Sequence, residues 1–153
     1  MNARRQTLKQ FALAFALAWL PGAASLAQSG SSKLPRVVLS GHDPVAYFTE
    51  KKPVKGDPKI SYDWDGERYL FSKAGNRDKF AANPERYAPQ FGGYCTGTMA
   101  GGGRAEADPQ AWIISDGKLY VFGQVKFRDM AEKDRQKLAL WVAGANENWR
   151  AKK

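Results

Sequence analysis

Apolar and polar residues alternate in two stretches of the chain, and each stretch is interrupted by a turn signal. In the first, Ile60–Trp64 alternates, Asp65-Gly66 follows, and Arg68–Phe71 returns with aromatic and aliphatic residues. Alternation with a period of two is typical of a strand that buries one face, and Asp-Gly favours a two-residue hairpin turn. This pattern predicts a β-hairpin.

A helix is predicted directly after this hairpin. We expect Ser72 to cap a helix of about residues 73–82, with Phe80 and Ala81 facing the core. Asn83-Pro84 then ends this helix, because proline cannot continue the helical hydrogen bonding.

A shorter helix is predicted upstream of the hairpin. Asp43-Pro44 supplies an N-cap residue and a proline at the first helical position, and the turn that follows presents Val45 and Phe48 on one side. The apolar run Val37–Leu39, just before this helix, predicts a strand or an extended segment.

The second alternating stretch consists of Ala111–Ile114 and Lys118–Phe122 around Asp116-Gly117, and predicts another hairpin with Trp112 in the core. From Gln124 onward the spacing becomes helical. The apolar positions near a 3.6-residue period are Phe127, Ala131, Leu138, Val142, Ala145 and Trp149, and we expect Gly144 to divide two helices. The predicted fold class is α+β: a small antiparallel sheet of two hairpins, a short helix after the first hairpin, and a C-terminal helical segment.

The N-terminus has the pattern of a cleaved export signal. Arg4, Arg5 and Lys9 precede the uncharged run Phe11–Leu20, and Ser25–Ala27 supplies the small residues of a cleavage site. A run of about ten residues is shorter than the roughly 20 needed to cross a bilayer. The expected domains are a signal at residues 1–27, a flexible tether at 28–36 and one folded domain at 37–153, with the mature protein periplasmic or secreted and without a stable membrane anchor.

The pair Arg4-Arg5 resembles a twin-arginine export signal, the route by which folded proteins cross the membrane. Thr7 stands where that signal has an apolar residue. An ordinary secretion signal that contains two arginines is the alternative.

The formal charge of +9 falls to +6 once the three basic residues of the signal are removed. The remaining basic residues are scattered among acidic ones, which is typical of a solvated surface. No zinc finger, recognition helix or RNA-binding motif accompanies them, so nucleic acid is not an expected partner. A protein is the alternative partner.

Cys95 is the only cysteine and lies in a glycine-flanked segment, residues 90–99. A lone cysteine cannot form an internal disulfide. It is a buried thiol, a metal or redox thiol, or half of an intermolecular bond.

The motifs Tyr69-Leu70-Phe71-Ser72 and Phe80–Tyr87 resemble the YHS domain, a strand pair followed by a helix that ends in F-x-x-N-P-x-x-Y. The flanks Gly41–Phe48 and Gly92–Cys95 are similar to exported bacterial YHS proteins. Related members are thought to bind metals through cysteines in the first turn and at the end of the second strand. This chain has His42-Asp43 and Ser72 at those places, so the resemblance implies the fold without the usual thiolate site.

Three side chains remain as a candidate metal site: Cys95, His42 and Met99. Thiolate, imidazole and thioether ligands suit Cu(I), so copper is the preferred ion. We expect no helix between Cys95 and Met99. The alternative is that Cys95 belongs to the core, Met99 fills a gap and His42 caps a turn. A nucleophilic Cys95–His42 pair is the third interpretation, and no catalytic motif or phosphate-binding loop accompanies it.

Tryptophan and tyrosine are abundant for one small domain. They predict either a core built from large side chains or an aromatic cleft for a small ligand. The first functional hypothesis is therefore an exported metal-binding YHS-like domain. The second is a non-catalytic interaction or ligand-binding domain that uses an aromatic surface, and an enzyme ranks third.

The processing of the N-terminus can be tested directly. Because Ser25–Ala27 forms the cleavage site, we expect N-terminal sequencing of the exported protein to begin at or within a few residues of Gln28. An intact Met1 would contradict the prediction. Replacing Arg4-Arg5 with Lys-Lys is expected to block export only if the twin-arginine route is used, since ordinary secretion requires positive charge alone.

Overall fold

The structure, a computed structural model, describes residues 34–151. The expected signal, residues 28–33 of the expected tether, and the two C-terminal residues lie outside the described residues. Arg36, the last residue of the expected tether, already belongs to the first strand.

The described residues form an α+β fold, as predicted. The strands are β1 (Arg36–Val37), β2 (Asp57–Trp64), β3 (Glu67–Phe71), β4 (Asp108–Ser115) and β5 (Lys118–Phe122). The α-helices are α1 (Pro44–Thr49), α2 (Ala74–Ala82), α3 (Pro84–Tyr87), α4 (Thr96–Ala100), α5 (Val125–Lys133) and α6 (Arg135–Arg150), and two 3₁₀ turns span Val38–Gly41 and Gln90–Gly93.

Both hairpins form where the alternation predicts them, but they lie in separate sheets. The first sheet has the order β1-β3-β2, with β1 parallel and β2 antiparallel to β3, and the second consists of β4 and β5. The expectation of one antiparallel sheet was therefore wrong. Periodicity identifies strands that bury one face, but it carries no information on which edges pair across the chain.

The same arrangement of elements occurs twice in the described residues. The first repeat (residues 38–82) contains a 3₁₀ turn, α1, the β2–β3 hairpin and α2. The second repeat (residues 90–133) contains a 3₁₀ turn, α4, the β4–β5 hairpin and α5 in the same order. Helix α6 follows the second repeat.

The two repeats agree in hydrogen bonding as well as in order. Asp43 N donates to Val54 O at 2.8 Å in the first, and Cys95 N donates to Ala105 O at 2.9 Å in the second. The strand pairs on either side of the bulge are Asp57–Phe71 and Ser61–Leu70 in the first hairpin and Asp108–Phe122 and Trp112–Val121 in the second. Cys95 thus occupies in the second repeat the place that Asp43 occupies in the first.

The described residues form two hydrophobic cores, and the first contains buried residues of both repeats, including Ala107, Leu119 and Val121 of the second. The first core surrounds residues such as Tyr47, Phe71 and Phe80, and Trp112 packs against it half-buried, edge-on to Tyr47 with ring centroids 5.2 Å apart. The second core contains Cys95, Met99 and Phe122, with helix α6 against it. Trp112 therefore packs against a core to which both repeats contribute.

Several local expectations for the helices are corrected. Helix α2 has Lys73 rather than Ser72 at its N-cap, and Ala81 is exposed although Phe80 is fully buried. The break in the C-terminal segment falls at Asp134, whose side chain caps α6, and the helix continues through Gly144.

Gly144 lies inside α6 at its contact with α4. A Cβ atom at this position would approach the backbone oxygen of Ala100 to 3.1 Å, so glycine lets α6 pack closely against α4. Separately, none of the helices in residues 34–151 combines the length and apolar character needed to cross a bilayer.

Candidate functional site

The carboxylate of Asp43 is the most heavily bonded buried polar group among the residues described. The side chain is completely buried at the N-cap of α1, as the Asp-Pro pair predicts. Its Oδ1 accepts hydrogen bonds from Val45 N at 2.9 Å and Ala46 N at 3.4 Å.

The second oxygen of Asp43 ties this helix to the hairpin and to α2. Oδ2 accepts from Ser72 N at 2.9 Å, from Ser72 Oγ at 2.7 Å and from Asn76 Nδ2 at 2.7 Å. Ser72 therefore bonds to Asp43 and does not cap α2, which explains the corrected helix start.

Asp43 and Ser72 stand in the first turn and at the strand end, the regions where the resemblance placed cysteine ligands. The structure brings the two side chains into contact. A carboxylate offers about four lone-pair positions, and the five hydrogen bonds to Asp43 use its acceptor capacity. The residues present therefore build a hydrogen-bonded junction here and do not fit a metal ion.

Cys95 and Met99 lie together in the second core, Cys95 at 3% exposure and Met99 fully buried. Cys95 is at the N-cap of α4, and Met99 N donates to Cys95 O at 2.9 Å. The expectation of no helix between them was wrong, because one helical turn connects them. Gly123 packs beside the thiol, where a Cβ atom would lie 3.7 Å from Sγ.

His42 lies at the end of the first 3₁₀ turn. Its Nδ1 is 3.0 Å from Leu39 O, and its backbone pairs with Lys55. Within residues 34–151, no group of three or more His, Cys, Asp or Glu side chains is arranged to hold a metal ion. The copper interpretation of Cys95, His42 and Met99 stays a prediction.

A cleft of about 500 Å³ opens beside the first hairpin. The end of the β2–β3 hairpin, helix α3, residues 88–92 and the last turns of α6 line it. Four aromatic side chains contribute walls, namely Trp64, Tyr69, Phe91 and Trp149. The structure thus forms an aromatic cleft.

Three carboxylates lie among these aromatic rings: Asp65, Glu67 and Glu85. Glu67 Oε1 accepts from Arg36 Nη2 at 3.2 Å, and Arg36 also bonds to Gly92 O and to Glu106. Arg36 therefore joins β1 to the cleft wall and to the second repeat. Glu67 Oε2 is buried without a hydrogen-bond partner among the residues described.

The phenol of Tyr69 is held in its neutral form. Burial, followed by the nearby charge of Glu67, raises the pKa of Tyr69 far above the ordinary value, while Arg36 opposes the shift. Because this phenol stays protonated, the negative charge of the cleft comes from its carboxylates.

Comparison with known proteins identifies one domain family. Residues 45–91 match the YHS domain. This supports the resemblance seen in the sequence motifs, over a segment that runs from α1 into the second 3₁₀ turn. No curated protein and no solved structure gives a significant match to the chain.

The YHS match covers most of the first repeat, whereas the equivalent segment of the second repeat lies beyond it. The second repeat has a detectable signal in the sequence that our sequence analysis missed. Both hairpins begin with Asp-Pro, turn at Asp-Gly and end in Tyr-x-Phe. The cleft itself gave no comparable signal, because its walls come from three segments that are far apart in the sequence.

Removal of the Asp43 charge tests the junction. Asp43→Asn replaces one acceptor oxygen with an NH₂ group that faces donors, so we expect the free energy of unfolding to fall by about 3 kcal/mol or more. Urea unfolding measures the change. Asp108→Asn is the matched control, because Asp108 accepts from Gln110 N near the surface and we expect a loss below about 1 kcal/mol. A loss of the same small size for Asp43→Asn would contradict the structural role.

Proposed function

We propose that the protein is an exported, non-catalytic binding domain that holds a small organic ligand in its aromatic cleft. The observation that carries the proposal is the cleft of about 500 Å³ lined by Trp64, Tyr69, Phe91 and Trp149. Small-molecule sites are concave, of about 300–1,000 Å³, and lined mainly by apolar and aromatic side chains with a few polar groups.

The positions of the chemically reactive groups support binding rather than catalysis. The Cys95 thiol is buried in the second core, and His42 Nδ1 faces Leu39 O. A nucleophile must be reachable by its substrate and must contact its base. The export component of the proposal rests on the pattern of residues 1–27.

A variant that fills the cleft tests this function. Gln90 lines the cleft and is partly exposed, so Gln90→Trp is expected to occupy the ligand volume without disturbing the core. In amide-detected NMR titrations, benzyl alcohol at millimolar concentration should shift amide signals of residues 64–69 and 88–92 in the parent protein, and about tenfold less in Gln90→Trp.

The control for this titration is Gln136→Trp, which adds the same ring to an exposed position of α6 outside the cleft. It should leave the titration unchanged. Absence of shifts in the parent protein with benzyl alcohol and with charged probes of similar size would contradict the proposed function.

Copper binding is the second candidate function, and one observation favours it. Cys95 and Met99, the two predicted sulfur ligands, share one helical turn and one core cluster. Soft sulfur ligands of this kind select Cu(I). His42 is the third residue of the predicted set.

Titration with Cu(I) under reducing conditions tests whether the protein binds copper. If copper binds, one ion per chain is expected, with affinity lowered at least about tenfold by Cys95→Ala and by Met99→Leu. His42→Ala should weaken binding as well if all three residues are ligands. Absence of bound copper, together with a native thiol that reacts with alkylating agents only after unfolding, would exclude the candidate.

A further inference from the structure

We infer that the cleft selects a small organic cation, such as a quaternary ammonium or guanidinium compound. This inference rests on the proposed function, because it specifies the charge of the ligand that the cleft would bind. It depends on the combination of aromatic walls with carboxylates in a chain that is otherwise basic.

The charged residues among the described lining of the cleft are acidic although the chain is basic, and one of them, Glu67, is ion-paired with Arg36. The formal net charge of the chain is +9, yet the cleft contains Asp65, Glu67 and Glu85. Of the described residues that line it, none is basic. A concave surface with one sign of charge and low-dielectric walls concentrates ligands of the opposite sign.

The aromatic rings of this region already contact cations of the chain itself. The guanidinium carbon of Arg104 lies 5.3 Å from the ring centroid of Trp149, and that of Arg36 lies 4.1 Å from the ring of neighbouring Tyr94. Such distances are those of cation–π attraction, which is strongest for tryptophan. The rings of this region therefore accept a positive charge, and over Trp149 the chain itself supplies one through Arg104.

Glu67 is one of the acidic residues that line the cleft. Its carboxylate forms an ion pair with Arg36 through Oε1, while Oε2 is buried with no hydrogen-bond partner in residues 34–151. A buried carboxylate oxygen without a partner favours a positive charge nearby, because the desolvated anion gains more from it than a solvated one.

The second repeat provides an internal comparison. At the corresponding place, beside the β4–β5 hairpin, there is a cleft of about 440 Å³. Ser115 stands there at the position of Trp64, and among the described residues of this lining Asp116 is the single acidic one and Arg135 is basic. The two clefts thus share their position in the repeat, but only the first combines several aromatic rings with several carboxylates.

Three probes of equal shape and different charge test the inference: choline, the neutral 3,3-dimethyl-1-butanol, and the anion 3,3-dimethylbutyrate. In amide-detected NMR titrations of the full protein, choline should bind in the cleft with a dissociation constant at least about tenfold lower than the neutral compound. Higher salt should weaken choline binding and leave the neutral compound unaffected.

Two substitutions that remove acidic groups test whether the cleft carboxylates cause the preference for choline. Asp65→Asn preserves the turn, because asparagine also adopts the positive φ of 50° found at Asp65. Combined with Glu85→Gln on exposed α3, it should raise the dissociation constant of choline about tenfold. The matched control is Asp116→Asn with Glu147→Gln, which removes two charges at the equivalent turn and on α6 outside the cleft, and should leave binding unchanged.

Each outcome separates the two proposals. If choline and the neutral compound bind equally well in the cleft, the ligand-binding function stands and the selection of cations is overturned. Tighter binding of 3,3-dimethylbutyrate, or choline binding that survives the Asp65→Asn/Glu85→Gln change, overturns it as well. If none of the three probes nor benzyl alcohol binds in the cleft, the proposed function fails together with the inference.

Discussion

The buried carboxylate of Asp43 is the interaction on which the first repeat depends. It closes the N-terminus of α1 and at the same time accepts hydrogen bonds from the end of β3 and from α2. Burial of a charge is unfavourable unless hydrogen-bond donors surround it. The carboxylate is therefore stable in the core only when α1, the end of β3 and α2 are assembled around it. The junction thereby sets the position of the hairpin, and the hairpin carries one wall of the cleft.

The second repeat has the same backbone arrangement at this junction but different side chains. Cys95 occupies the place of Asp43, and Gly123 occupies that of Ser72, so a small apolar contact replaces a network of hydrogen bonds. The backbone arrangement persists because the strand pairing, the bulge and the 3₁₀ turn are retained.

The first repeat, the second repeat and α6 all contribute walls to the aromatic cleft. Glu67 and Trp64 lie at the turn of the first hairpin, whereas Phe91 and Gly92 lie in the second 3₁₀ turn, and α6 adds Trp149. Arg36 binds Glu67, Gly92 O and Glu106, and so connects the two repeats beside the cleft. A chain of two identical repeats without α6 would lack one wall of this site.

The sequence by itself determined the local elements, because their signals lie within a few residues. Alternation and Asp-Gly turns located both hairpins, Asp43-Pro44 located the start of α1, and Asn83-Pro84 located the end of α2. Local signals failed where a distant contact competes: Ser72 bonds to Asp43 instead of capping α2, and Gly144 serves helix packing instead of ending a helix. Only the tertiary structure decided that the hairpins form separate sheets, that Cys95 and Met99 share a core turn, and that three separate segments line a cleft. Such contacts depend on packing between residues far apart in the chain, which a periodic pattern of hydrophobicity does not encode.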